Sequence, residues 1–299
     1  MLEIQDLTRR FGEHVAVDRV GFSVGEGLMT GFVGGNGAGK TTTMRMIMGV
    51  LQPTSGQVLW RGHEATPADR RTFGYMPEER GLYPKQPLLD QLVYLGRLQG
   101  CTKAFARTEA QRLLERFGLA ARAKDKLEEL SLGNQQRVQI AAAVIAEPDL
   151  LVLDEPFSGL DPAAVDSMAE LLREQTARGV PVLFSSHQLE LVERLCDRLA
   201  ILSAGQLVGW GTVEDLRRRG PVRHRLRLAG DAAWVRELPD VRVVEIDGGE
   251  AILELSEAAR AGDIGAGDAL LREALQRDSV LEFSEIVPNL SEVYREVSE

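Results

Sequence analysis

Nine residues, Gly34 to Thr42, read GGNGAGKTT. They satisfy the spacing G-x-x-x-x-G-K-[ST], with Gly34 first, Gly39 and Lys40 near the end, and Thr41 last. Each residue type has a physical use. Small residues at Gly34, Asn36, Gly37, Ala38 and Gly39 let backbone N–H groups turn toward a polyphosphate without a side chain in the way. Lys40 supplies a point charge for β- and γ-phosphates, the Thr41 hydroxyl can ligate Mg²⁺, and Thr42 is a further nucleotide-binding candidate. The flanks suit the motif. Leu28–Val33 is an apolar strand-like run, and Thr41–Leu51 carries apolar residues at helical spacing. A helix starting near Gly39 would add its positive dipole end to the anion site.

A second set of acids follows more than a hundred residues later. Leu150–Leu153 is a continuous apolar strand, and Asp154 and Glu155 come directly after it. A buried strand ending in Asp puts that carboxylate at the carboxyl edge of a sheet, where it can hold Mg²⁺. Glu155 can polarise an attacking water. His187 follows another apolar strand.

The elements that must position these groups follow from periodicity. Strands are expected at Leu2–Leu7, Val20–Val24, Leu28–Val33, Gln57–Trp60, Phe73–Met76, Leu150–Leu153, Val180–Phe184, Leu199–Leu202 and Gln206–Trp210. Phe11 is expected in a turn-like segment, Arg9–Gly12. Helices are expected over Asn134–Ala146, Pro162–Thr176 and Gln188–Leu195, and a helical insert over residues 84–129. Alternating strands and helices imply a parallel sheet with right-handed crossovers. Arg217–Pro221 reads as a linker. Beyond it, the pattern β-α-β-β-α-β with a last helix suggests a ferredoxin-like sandwich over residues 220–299.

Composition sets outer bounds. The 299 residues suffice for two unequal domains. Residues 1–220 hold 26 Lys+Arg and 28 Asp+Glu, a net of −2; residues 221–299 hold 9 and 17, a net of −8. That asymmetry marks a separate acidic C-terminal unit and speaks against a nucleic-acid binder. Cys101 and Cys196 lie far apart without metal spacing, as in a reduced cytosolic setting. Met1–Asp6 reads as a strand, not a signal peptide, and no apolar run approaches the roughly 18 residues of a membrane helix.

Leu130-Ser131-Leu132-Gly133-Asn134-Gln135-Gln136-Arg137 precedes a helix. The order of phosphate loop, this segment, the apolar-Asp-Glu strand and a later His resembles the ATP-binding subunits of ABC transporters. Their signature reads Leu-Ser-Gly-Gly-Gln; here Leu132 replaces the first Gly and Asn134 the Gln. The resemblance implies an α/β fold: a P-loop NTPase domain of the ABC ATPase type over residues 1–219, with an N-terminal antiparallel β part and the helical insert. A small α+β C-terminal domain would complete the chain.

The resemblance also implies roles. ATP would bind with Mg²⁺, with Phe11 stacked on adenine. Lys40, Glu155 and His187 would serve hydrolysis, and Thr41, Asp154 and Glu78 would hold the metal. The family has Gln in the loop after Phe73–Met76, where this chain has Glu78 or Glu79; a carboxylate ligates Mg²⁺ yet repels the γ-phosphate. Ser131 and Gly133 would cap the ATP of a second subunit, and Asp161 would touch that subunit. The dimer would be of two copies or of close homologues, docked on an integral membrane permease of two copies or two chains. The site implied is cytoplasmic, peripheral on the inner face of the cell membrane. The sub-group is the one with separate ATPase and membrane chains, exporting drugs, ions or similar solutes.

The same residues have plainer readings. Ser131 and Asp161 fit helix N-caps, His187 and Phe11 fit structural packing, and Glu78–Glu79 fits a solvated turn. Two rival classes remain at this point: a soluble non-transport ABC ATPase, and a binding module that ATP gates without hydrolysis.

Overall fold

The computed structural model describes residues 1–79, 81–218, 223–238, 241–255, 265–286 and 289–298. The chain separates into two compact units, Met1–Val213 and Glu214–Val297.

In the first unit, strands β1 (Leu2–Phe11), β2 (His14–Val24), β4 (Ser55–Trp60) and β5 (His63–Glu64) form an antiparallel sheet in the order β2-β1-β4-β5. β1 and β2 are longer than their apolar alternation suggests. They run on as a hairpin to the closing pair Phe11 and His14, so Arg9–Phe11 is strand and not turn. The connecting pair is Gly12-Glu13, with Gly12 at φ 59, the sign that a two-residue hairpin loop needs at its first position.

The second sheet runs β10-β9-β3-β8-β7-β6. Its strands are β3 (Met29–Gly34), β6 (Phe73–Met76), β7 (Leu150–Leu153), β8 (Val182–Ser186), β9 (Arg198–Ser203) and β10 (Gln206–Thr212). β6, β7, β8, β3 and β9 are parallel, and β10 returns antiparallel. β3, β7 and β8 are buried along their whole length, as strands covered on both faces must be. Phe22, Phe32, Trp60, Met44 and Phe73 pack in the core shared by the two sheets.

Helices α1 (Lys40–Ile47), α2 (Pro67–Arg70), α3 (Leu88–Leu98), α4 (Lys103–Arg116), α5 (Leu132–Val144), α6 (Pro162–Ala177) and α7 (Leu189–Leu195) complete this unit. α2 was hidden by its brevity; its signal is a capping box, Thr66 with Asp69. Between α4 and α5 lie two 3₁₀ turns, Ala120–Arg122 and Leu127–Glu129. α5 starts two residues before the expected Asn134, which makes Ser131 its N-cap.

α8 (Val213–Arg217) ends at Arg217, so the arginine run begins as a helix end. The rest of the expected linker, residues 219–221, lies outside the described residues. The second unit has β11 (Arg223–Leu228), β12 (Val241–Asp247), β13 (Glu250–Leu255) and β14 (Val280–Ile286), all antiparallel in the order β12-β13-β11-β14. The short helix expected at Ala232–Leu238 is a 3₁₀ turn, Ala233–Glu237. α9 (Gly265–Arg277) contributes Leu270 and Ala274 to a core with Leu226, Leu228, Val235 and Leu253; α10 (Leu290–Ser298) ends the described chain.

Candidate functional site

The strand order explains why distant residues meet. β3 lies between β9 and β8, and β8 lies between β3 and β7. All four are parallel, so the loops leaving β3, β8 and β7 emerge at one edge. That edge carries, side by side, residues 35–39, the end of β8 with His187, and Asp154 to Glu155.

A cleft of about 440 Å³ opens there, within the range of small-ligand sites. Gly35 to Thr42, Glu78, Asp154 and Glu155 line it, together with Phe11, His14 and Ala16 from the hairpin. Gly39 takes φ 103, and a Cβ on it would stand 2.7 Å from the Ala16 carbonyl oxygen. A Cβ on Gly34 would stand 2.7 Å from the Leu202 carbonyl oxygen. The loop is therefore squeezed between hairpin and sheet, and only glycine fits at these two points.

Lys40 is 8% exposed. Its Nζ donates to the carbonyl oxygens of Gly34 at 2.7 Å and Gly35 at 3.3 Å, and lies 3.9 Å from Glu155 Oε1. Neutral carbonyls hold the ammonium across the loop, in a place where an anion would compete for it.

Asp154 is fully buried. Its Oδ1 accepts from Ser185 Oγ at 2.5 Å, while Oδ2 is buried and has no partner. An unpaired buried carboxylate oxygen is costly unless something binds it. The Thr41 hydroxyl donates to Glu78 Oε2 at 3.4 Å. Hydroxyl and carboxylate oxygens suit a hard divalent cation. Among the described residues no group of three or more His, Cys, Asp or Glu could hold a metal alone. A cation here would need further oxygens, such as those of a polyphosphate.

Glu155 takes φ 51, a strained setting for a residue with a Cβ. Its N–H donates to Ser185 Oγ at 2.8 Å, and its carbonyl accepts from Gln136 Nε2 at 3.1 Å. Ser185 thus fixes both acids. Glu155 Oε2 lies 2.9 Å from His187 Nδ1, and His187 itself is half exposed beside the cleft. Glu78 is exposed at the rim.

Ser131, Gly133 and Asp161 do not line this cleft. Ser131 is the α5 N-cap residue, yet its hydroxyl makes no cap bond and is exposed. Asp161 caps α6 by accepting from Ala164 N–H at 2.8 Å, with Pro162 in the first turn, which is its plainer reading. The two segments pack reciprocally. Leu132 lies against Gly159, and Leu160 against Gly133.

Sequence reasoning passed over Ser185, Gln136, His14 and Tyr75. Ser185 had a signal: polar residues at the carboxyl end of an apolar strand. Burial, then the Asp154 charge, pushes the Tyr75 phenol above its ordinary value. Gln136 and His14 had none, since their partners lie far off in sequence. Cys101 and Cys196 are free thiols, and burial pushes Cys196 well up.

A parallel sheet with a phosphate loop and two acids at its carboxyl edge defines a P-loop nucleotide-binding domain. Residues 17–158 match the family described as ABC transporter, and residues 211–298 match the C-terminal domain of DrrA1-3-like ATP-binding proteins. Over 218 residues the chain is 47% identical to the ABC transporter ATP-binding protein YhaQ of Bacillus subtilis, covering 73% of each. It is 36% identical over 219 residues to the linearmycin resistance ATP-binding protein LnrL of the same organism, covering 72% of this chain and 70% of that one. Among solved structures, an ATP-binding subunit of an ABC transporter matches with TM-score 0.69 and 36% identity, over 73% of this chain and 92% of that one. The chain belongs to the ABC transporter ATP-binding proteins, and it is an ATPase of that family.

Proposed function

We propose that this ATPase powers the outward transport of a small solute, a drug or ion, through a separate membrane-spanning partner. One observation carries the reading: Lys40, Thr41, Asp154 and Glu155 converge on one cleft, while the Ser131 hydroxyl stands exposed and unbonded at the start of α5. No helix among the described residues is long and apolar enough to cross a membrane, so the span would belong to another chain. The name of LnrL, a resistance protein, supports a drug-like cargo.

In this reading ATP lies with adenine against Phe11 and its phosphates in the loop at residues 34–42. Lys40 exchanges its carbonyl partners for phosphate oxygens. Thr41, Asp154 and Glu78 would hold Mg²⁺, whose charge would offset that building on the transferred phosphoryl group. Glu155 takes a proton from the attacking water, and His187 orients Glu155 and contacts the γ-phosphate. Ser131, the Gly133 N–H and the α5 N-terminus of a second copy, or of a close homologue, close over that phosphate. Asp161 lies at the same seam. Closure and release of the dimer, at the inner face of the membrane, drive the permease. Residues 1–219 form the ATPase domain in this scheme, and residues 220–299 a ferredoxin-like accessory domain.

The test is ATP-dependent solute uptake into inside-out vesicles carrying the permease, with phosphate release measured in parallel. Uptake lost in Glu155→Gln supports the proposal. Phosphate release that no membrane partner alters, with no uptake, points to a non-transport ATPase. ATP binding without any phosphate release points to a gated binding module.

A further inference from the structure

We infer that Arg9 is a positioning residue for the nucleotide base, acting through Phe11. The inference rests on the reading that Phe11 stacks on adenine. The Arg9 guanidinium carbon lies 4.6 Å from the centroid of the Phe11 ring. Its Nη1 donates to the Gln52 carbonyl oxygen at 2.9 Å, while Nε is buried without a hydrogen-bond partner and has the ring as its neighbour. Phe11 is 47% exposed and lines the cleft; Arg9 does not. The guanidinium therefore backs one face of the ring and leaves the other to the ligand.

An exposed phenylalanine at the closing pair of a hairpin would otherwise sample several rotamers. Binding a base would then cost the entropy of fixing it. Arg9 removes that cost beforehand, and its charge draws electron density toward itself, which eases stacking of an electron-rich base on the opposite face. The strand end is tied down as well. Arg10 N–H donates to Thr54 Oγ1 at 3.0 Å, and Thr54 N–H to the Thr8 carbonyl at 2.8 Å. Gln52 and Thr54 lie just after α1, the helix that starts at Lys40. Base wall and phosphate wall are thus joined through Arg9.

The experiment is equilibrium binding of ATP and of tripolyphosphate, which has no base, to the full chain and to Arg9→Met, Phe11→Ala and the double variant. Arg9→Met is expected to weaken ATP about three- to five-fold, the usual reach of a cation over an aromatic ring, and to leave tripolyphosphate unchanged. Phe11→Ala is expected to weaken ATP about ten-fold, and the double variant no further. The KM for ATP should rise in Arg9→Met with kcat unchanged. Arg9→Lys keeps stem and charge but loses the planar fork, guards against a folding defect, and should give an intermediate loss. Unaltered ATP affinity in Arg9→Met alongside a weakened Phe11→Ala overturns the role of Arg9. So does an equal loss for tripolyphosphate, or additivity in the double variant. Unaltered ATP affinity in Phe11→Ala overturns the stacking reading itself.

Discussion

At the cleft, buried charge is only partly satisfied: the nearest carboxylate to Lys40 Nζ is Glu155 Oε1 at 3.9 Å, too far for a hydrogen bond. Lys40 rests on two carbonyls, and Asp154 leaves Oδ2 unpaired. The sheet of the C-terminal unit is built the other way. Arg223 meets Glu254 at 3.0 Å, Arg225 meets Glu250 at 3.1 Å, and Arg242 reaches Glu254 at 3.4 Å. These pairs link neighbouring strands, so they fix register and hold little in reserve for a ligand. The contrast teaches a rule for this molecule. At the cleft the unpaired Asp154 oxygen goes with chemistry, and in the second unit the cross-strand ion pairs go with architecture.

Substitutions at the two regions should therefore differ in kind. The largest effect is expected from Glu155→Gln, which keeps shape and hydrogen bonding but cannot take a proton: phosphate release falls about 10³-fold, with ATP affinity retained. Unchanged turnover would remove Glu155 from the chemistry. Next comes Lys40→Ala, which should weaken ATP about 10²-fold in calorimetry through loss of charge-assisted contacts. Leu226→Ala, in the core of the second unit, should destabilise that unit by about 3 kcal/mol in chemical denaturation and leave ATP affinity intact. A matching loss of ATP affinity would blur the contrast between the two regions.

Ser185→Ala deprives Asp154 Oδ1 and the Glu155 N–H together. We expect about 1–3 kcal/mol of lost stability, read as a lower melting temperature, and slowed phosphate release. The smallest effect concerns α2. Bonds from Thr66, side chain before backbone, hold the Asp69 carboxyl at about 2, below an ordinary 3.8. A depressed carboxylate contributes stability above its unfolded value and loses it as pH falls through the folded one. Acid titration of the wild type should show that loss between about 4 and 2, and Asp69→Asn should flatten it.

Much of this was legible beforehand. The edge carrying Asp154 followed from four apolar residues and the phosphate-loop spacing, and β7 begins and ends where those residues do. The reach of β1 to Phe11 was not legible, because polar Thr8, Arg9 and Arg10 break the alternation; hairpin hydrogen bonds, not burial, extend it. Gln136 and Ser185 were missed because each serves Glu155 from a separate element, a relation set by strand order. In the second unit, charge asymmetry suggested a boundary but gave no chemistry, as paired side chains in a sheet leave no motif.

The central claim is that nucleotide in this cleft is closed over by Ser131 of a second copy or a close homologue. Sedimentation of Glu155→Gln alone and with saturating ATP and Mg²⁺ tests its like-subunit form. The account predicts a monomer that becomes a dimer only with nucleotide, and that stays monomeric when Ser131→Arg is added. A chain that binds ATP and remains monomeric, or a dimer indifferent to Ser131→Arg, would contradict that like-subunit form.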